Sequence, residues 1–395
     1  MQIMINIFKI AIINILIILG LLIFANLTVI SVYQLTHSGF FYDAQKNKMQ
    51  NKWRLPNYRN IEWAHKHFEE FAQLQSEYVS YIDWRRLPYQ GETINIDEQG
   101  IRFTPQSEFA DENSPLVAFV GGSSVWGTGS NDTNTIPALF AQIAQGRYRT
   151  INLGEASYNA FQGYLFLKLQ MFNGLHPSIV VSCDGVNDAD SLMPDRSTFS
   201  HSRENQIRDV MKGRDRINEE TLSFSNFLLR PLKSFIADYK SRHVTYQTYD
   251  VSREDVEQKA GFLLESWLST KKLAEAHGAY FIAVLQPNAG FGKPYLKHLR
   301  LNEGSLRSRH LKLDESKLDR YRIYYQVVLE LLQTPKYRDL SRHVIFPKDA
   351  FDIEDYIYID DCHVSPNGNK IMAEKIYNYI NTVVDIKKKS LQVIK

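Results

Sequence analysis

The stretch Leu116–Gly127 reads LVAFVGGSSVWG. A short apolar run that stops at two glycines predicts a buried strand with a tight turn at its carboxyl end. The pattern repeats downstream. Ile136–Gln145 is expected as a helix, with Thr135 suited to its N-cap and Gly146 to the position past its end. Thr150–Leu153 is a second strand, Ala160–Phe172 a helix stopped by Asn173 and Gly174, and Ser178–Cys183 a third strand. Ser252 opens a long helix whose apolar face carries Val256, Ala260, Leu263 and Trp267, and Gly278 ends it. Tyr280–Leu285 is a fourth strand. The last helix begins near Pro366, with Ile371, Met372, Ile376 and Ile380 on one face. Strands alternating with helices imply an α/β fold, a parallel central sheet covered on both faces.

Upstream of this body, Ile10–Tyr33 carries no charge. About 24 residues in a helix span roughly 36 Å, enough to cross a membrane. Residues 1–33 are therefore expected to be a tail and transmembrane anchor. The alternative, a cleaved signal, usually has a shorter apolar core. Lys46, Lys48 and Lys52 follow the span and favour a cytoplasmic body, but long domains translocate largely regardless of such charges; an extracytoplasmic body is expected. Residues 34–110 read as a linker and collar, with a helical stretch near Ile61–Glu77 and a strand with a turn over Ile94–Arg102. Residues 111–395 form the body, with polar insertions at about 190–250 and 288–340 expected as walls or lids.

With 46 Lys plus Arg against 44 Asp plus Glu, the net charge of +2 offers no broad field for a polyanion, so no nucleic-acid partner is expected. Two cysteines, Cys183 and Cys362, exclude a disulfide-stapled fold and a four-cysteine zinc site.

Four segments at predicted strand ends could carry chemistry. Gly121-Gly122-Ser123 with Gly127 puts a serine on an exposed turn; no Gly-Lys-Ser/Thr follows, so it is not a phosphate loop. Asn152-Leu153-Gly154-Glu155-Ala156-Ser157 leaves the second strand for a helix start, where backbone N–H groups can meet an anion. Asp184-Gly185-Val186-Asn187-Asp188 offers an amide to a developing oxyanion. Asp360-Asp361-Cys362-His363 places a histidine three residues after a carboxylate that can orient it. No second His or Cys pair stands at zinc-ligand spacing. Each segment alone is also an ordinary turn.

Together and in this order the four segments resemble the SGNH (GDSL-type) serine esterases and acyltransferases over about 115–385, the insertions unmatched. The resemblance implies a flavodoxin-like three-layer α/β/α fold with Ser123 as nucleophile. Gly122 replaces an aspartate that is not part of the triad. It implies an oxyanion hole from the N–H groups of Ser123 and Ser157 and the Asn187 amide, with Ser157 standing where the family has glycine. Gly185, Asn187 and Asp188 complete the third motif, and Asp360 and His363 the last. No metal or organic cofactor is implied. The implied chemistry is acyl transfer from an ester, such as an O-acetyl group of an envelope glycan. An O-acyltransferase acting on such a glycan, or a non-catalytic glycan-binding scaffold, uses the same residues. If the fold holds, Cys183 and Cys362 lie near the site, either bonded or packed as small hydrophobes.

Overall fold

The structure, a computed structural model, describes residues 51–193, 196–205, 251–299 and 315–393, with Leu313 and scattered positions within 6–28 and 207–211. The chain divides into two compact units, residues 1–47 with 205–248, and residues 48–204 with 249–395. In the first, the described positions from 6 to 24 are helical, and Leu16, Ile17, Ile18 and Leu21 are exposed. Among the described residues no helix is long and apolar enough to cross a membrane. Residues 29–33 of the expected span and 212–250 of the first insertion lie outside the described residues.

The second unit opens with the collar. Two short 3-10 turns, Asn51–Arg54 and Pro56–Tyr58, precede helix α1 (Ala64–Phe71), the hairpin β1 (Ser76–Val79) and β2 (Asp83–Arg86), and the short pair β3 (Tyr89–Gln90) and β4 (Asn95–Ile96). The helix expected over 61–77 is thus shorter. Ser76–Val79 has exposed side chains at Glu77 and Tyr78 and no apolar face to bury as a helix, and its antiparallel ladder with β2 decides its state.

The body begins at β5 (Leu116–Gly121). It continues through α2 (Ser123–Trp126), α3 (Ile136–Ala144), β6 (Arg149–Asn152), α4 (Ala160–Phe172), β7 (Ile179–Asp184), α5 (Val186–Ala189), α6 (Arg253–Ala276), β8 (Tyr280–Leu285), α7 (Glu315–Leu332), α8 (Arg338–Ser341), β9 (Val344–Ile345) and α9 (Pro366–Val393). The sheet has the order β6-β5-β7-β8-β9, every pair parallel. Helices α3 and α9 pack together on one face; α4, α6 and α7 cover the other. Local chemistry sets the helix starts: Thr135 accepts a hydrogen bond from the Ala138 N–H, and Asn159 with Gln162 forms a capping box.

Two features differ from the expected body. Within 288–340, α7 buries Leu318, Tyr321, Tyr324 and Tyr325 against α6 and belongs to the helical layer rather than to a lid. The fifth strand, β9, has only two residues, too short for any period to mark it.

Because β5 pairs with both β6 and β7, the chain leaves the sheet centre in opposite directions, which opens a crevice at the carboxyl ends of β5 and β7. The collar closes the other side of β6. Arg102 forms an antiparallel bridge with Asn152, and its fully buried guanidinium pairs with Asp132 at 2.8 Å. It also donates to the carbonyls of Trp126 and Gly127, both at 3.0 Å, and of Ser130 at 2.6 Å. Removing one member of a buried pair strands the other, at about 3–5 kcal/mol. Arg102→Met is therefore expected to lower stability by about that amount in denaturant unfolding, with Arg102→Lys also well below wild type because an ammonium cannot reach all these acceptors.

Candidate active site

Between Val117 and Ser130 every residue is buried except Ser123, which is half-exposed at the first position of α2. The preceding turn requires glycine for two reasons. Gly121 has φ of 145°, and a Cβ there would lie 2.3 Å from the Cys183 carbonyl oxygen. At Gly122 a Cβ would lie 2.4 Å from Asn187 Nδ2, so the absence of a side chain there lets the Asn187 amide settle over the serine turn. Asn152 braces the same turn from below. Its Nδ2 donates to the carbonyls of Val125 (2.9 Å) and Trp126 (3.3 Å), and its Oδ1 accepts from the Gly154 N–H. Gly154 approaches so closely that a Cβ would meet the Trp126 nitrogen at 2.6 Å.

Ser123 Oγ lies 2.7 Å from His363 Nε2, and His363 Nδ1 lies 2.8 Å from Asp360 Oδ2. A carboxylate only accepts, so the Nδ1 facing it carries the ring proton and leaves Nε2 as acceptor for the serine hydroxyl. Asp360 Oδ1 takes the backbone N–H groups of Cys362 (3.0 Å) and His363 (2.7 Å), which folds the D-x-x-H segment onto itself. The neighbouring Asp361 is engaged elsewhere, by Lys317 Nζ and Tyr321 Oη, each at 2.7 Å.

Two further loops border the serine turn and carry the other residues expected at the site. The backbone N–H groups of Ser123 and Ser157 have no intramolecular acceptor among the described residues. The half-buried Asn187 donates one amide hydrogen to the Tyr158 carbonyl at 2.8 Å and keeps a second. Asp188 holds its loop by accepting from the N–H groups of Gly185 (3.0 Å) and Ala160 (3.2 Å), with burial and the nearby Asp184 carboxylate pushing its pKa up.

Ser157 has φ of 70°, the left-handed conformation that glycine adopts freely, at the third position of a turn closed by the Tyr158 N–H on the Glu155 carbonyl. The collar holds that turn. Trp84 Nε1 donates to the Ala156 carbonyl at 3.1 Å, Arg85 to that of Gly154 at 3.3 Å, and the fully buried Glu155 carboxylate accepts the Arg86 N–H at 3.1 Å. A non-glycine residue in this region costs about 1–2 kcal/mol, partly offset by the greater unfolded-state freedom of glycine. Ser157→Gly is expected to keep wild-type turnover and to gain up to about 1 kcal/mol in thermal unfolding.

A residue with no sequence signal completes the constellation. Lys52, from the collar, has a side chain only 4% exposed and forms a salt bridge with Asp360 Oδ2, the oxygen that also faces His363. Burial alone would raise the Asp360 pKa; His363 and Lys52 together hold it well below the usual carboxylate range. The stability this contributes is present at neutral pH and is lost only as pH falls through and below the ordinary carboxylate range. Lys52 is a positioning residue, and Lys52→Met is expected to lower turnover about tenfold, on the scale of the ~1.4 kcal/mol that one charge-assisted hydrogen bond contributes. Without that cation the Asp360 carboxylate loses one of the two groups that hold it in its charged form and in place against His363 Nδ1, so the loss should fall on kcat with KM little changed. Lys52→Arg should restore much of that turnover; a Lys52→Met loss that appears in KM at constant kcat would rule out the positioning role.

Asp360, Cys362 and His363 are the group of ligating side chains among the described residues close enough, within 4.8 Å, to share an ion. Both ring nitrogens of His363 are already engaged, and burial pushes the Cys362 thiol up, away from thiolate. Cys183 and Cys362 are both free and buried.

No protein-family model matches the sequence, and no curated protein matches it. Solved structures similar to the chain include a GDSL-like lipase from Bacteroides thetaiotaomicron VPI-5482, at 12% identity and TM-score 0.36, covering 70% of this chain and 92% of that one. A carbohydrate acetylesterase from Sinorhizobium meliloti is similar at 12% identity and TM-score 0.37, covering 68% and 99% respectively. A member of the lipolytic G-D-S-L family from Veillonella parvula DSM 2008 is similar at 8% identity and TM-score 0.35, covering 66% and 94%.

Proposed function

We propose that this protein is a serine esterase that works through an acyl-enzyme. The observation that carries the reading is the unbroken chain Ser123 Oγ, His363 Nε2, His363 Nδ1, Asp360 Oδ2, set beside two unengaged backbone N–H groups and the Asn187 amide. In the first step His363 takes the Ser123 proton as the hydroxyl oxygen attacks an ester carbonyl, and Asp360 stabilises the imidazolium that forms. The N–H groups of Ser123 and Ser157 and the Asn187 amide receive the negative charge that develops on the carbonyl oxygen. Collapse expels the alcohol, which takes its proton from His363. Water, deprotonated by the same histidine, then releases the acid and restores Ser123.

The substrate this reading favours is an O-acetyl ester of an envelope glycan, met by a body that residues 10–33 hold at a membrane on its extracytoplasmic side. The uncharged run there, with its exposed apolar side chains at the described positions, supports the attachment. The test is labelling with a fluorophosphonate probe, which reacts with an activated serine, combined with acetate release from p-nitrophenyl acetate and from O-acetylated polysaccharide. Labelling with acetate release is expected. A protein that neither labels nor releases acetate is a scaffold rather than an esterase.

A further inference from the structure

A cavity of about 770 Å³ lies between the collar and the segment that leads into Asp360, apart from Ser123. Its collar wall includes Trp53, Arg54 and Arg59; its other wall includes Tyr295, Lys297 and Tyr356. The turn Asn51–Arg54 serves both places, with Lys52 on Asp360 and Trp53 and Arg54 in the cavity. The cavity is therefore adjacent to the catalytic loop, one short turn away.

Two properties set its lining apart. The first is charge. Arg54, Arg59 and Lys297 face a single acid, Glu62, and among the described residues none of the three is paired with a carboxylate. Some cations elsewhere are neutralised, Lys66 by Glu92 and Lys336 by Glu265, whereas here three stand together around one acid. In a chain of net charge only +2 this is a local concentration of unneutralised positive charge. The second is shape. Trp53, Tyr295 and Tyr356 supply half-buried ring faces, and two of the cations already lie over rings, Arg54 5.2 Å from the centroid of Trp53 and Lys297 5.1 Å from that of Tyr295. Tyr295 and Tyr356 meet at 54°, so they form angled walls and not the parallel slot that a flat base would enter.

Angled aromatic faces suit the apolar faces of sugar rings, and cations at the rim suit a carboxylate. We propose that this cavity is a binding subsite for an acidic polysaccharide, a chain of carboxylate-bearing sugars, that holds the polymer while Ser123 acts on its esters. The inference rests on the esterase reading for its purpose, but binding itself does not need the triad.

The experiment is calorimetric titration of the full-length protein with oligogalacturonate, with a neutral malto-oligosaccharide and with inorganic phosphate. Wild type and Ser123→Ala should bind oligogalacturonate equally, and neither should bind the neutral oligosaccharide. Arg59→Glu combined with Lys297→Glu should weaken binding at least tenfold, and Tyr295→Ala several-fold, while p-nitrophenyl acetate turnover stays at the wild-type level and shows that these variants are folded. Equal binding of the neutral oligosaccharide, complete displacement by equimolar phosphate, or affinity unchanged in the charge-reversed protein would each overturn the subsite. Binding without any ester turnover in wild type would leave the subsite standing and remove the esterase reading instead.

Discussion

Replacing Ser123 by alanine is expected to abolish fluorophosphonate labelling and to lower ester turnover by roughly 10⁴-fold or more, since the groups of such a triad act as a unit. The fold should be unaffected, because the side chain is half-exposed and its hydrogen-bonding partner, His363, keeps its other contact with Asp360. The control is Ser124→Ala. Ser124 is 8% exposed, and its Oγ accepts from Gln286 Nε2 at 2.7 Å, while the same Gln286 amide reaches the Cys362 carbonyl at 3.3 Å. Ser124 thus fastens the serine turn to the strand end and the histidine loop. Its loss should cost about 1–3 kcal/mol in unfolding, the penalty of an amide left without its partner, with labelling retained. Labelling that survived in Ser123→Ala and disappeared in Ser124→Ala would move the nucleophile by one residue.

Asn187→Ala is expected to lower kcat by about 10²–10³-fold with KM little changed. The amide is held in place before any substrate arrives: one hydrogen is spent on the Tyr158 carbonyl, and Nδ2 sits so close over Gly122 that a Cβ would lie 2.4 Å away. The remaining hydrogen gains most when negative charge appears on the substrate oxygen, which is why the loss falls on kcat. Asn187→Asp should be worse than Asn187→Ala, because a carboxylate donates nothing and repels the oxyanion. A rise in KM at constant kcat would instead make Asn187 a ground-state binding residue.

The sequence by itself determined the α/β body and the serine, asparagine and histidine segments at its strand ends. These are legible because apolar runs such as Leu116–Gly121 and Tyr280–Leu285 are locally encoded, and each site segment adjoins such a run or the start of the last helix. The tertiary structure decided what depends on distant partners. Lys52 lies 308 positions from Asp360, and in sequence it is one more lysine after an apolar run; only docking of the collar makes it a buried counter-ion. Arg102 looks like a polar end to a short strand, yet it is fully buried against Asp132 and the carbonyls that end α2. That Ser157 takes the left-handed conformation is likewise enforced from outside, by Trp84, Arg85 and Arg86 gripping the loop from Gly154 to Ala156. The physical reason is common to all three. Apolar periodicity reports burial of a segment against a core, whereas a polar residue carries no mark of its partner until the chain has folded and water has left the contact.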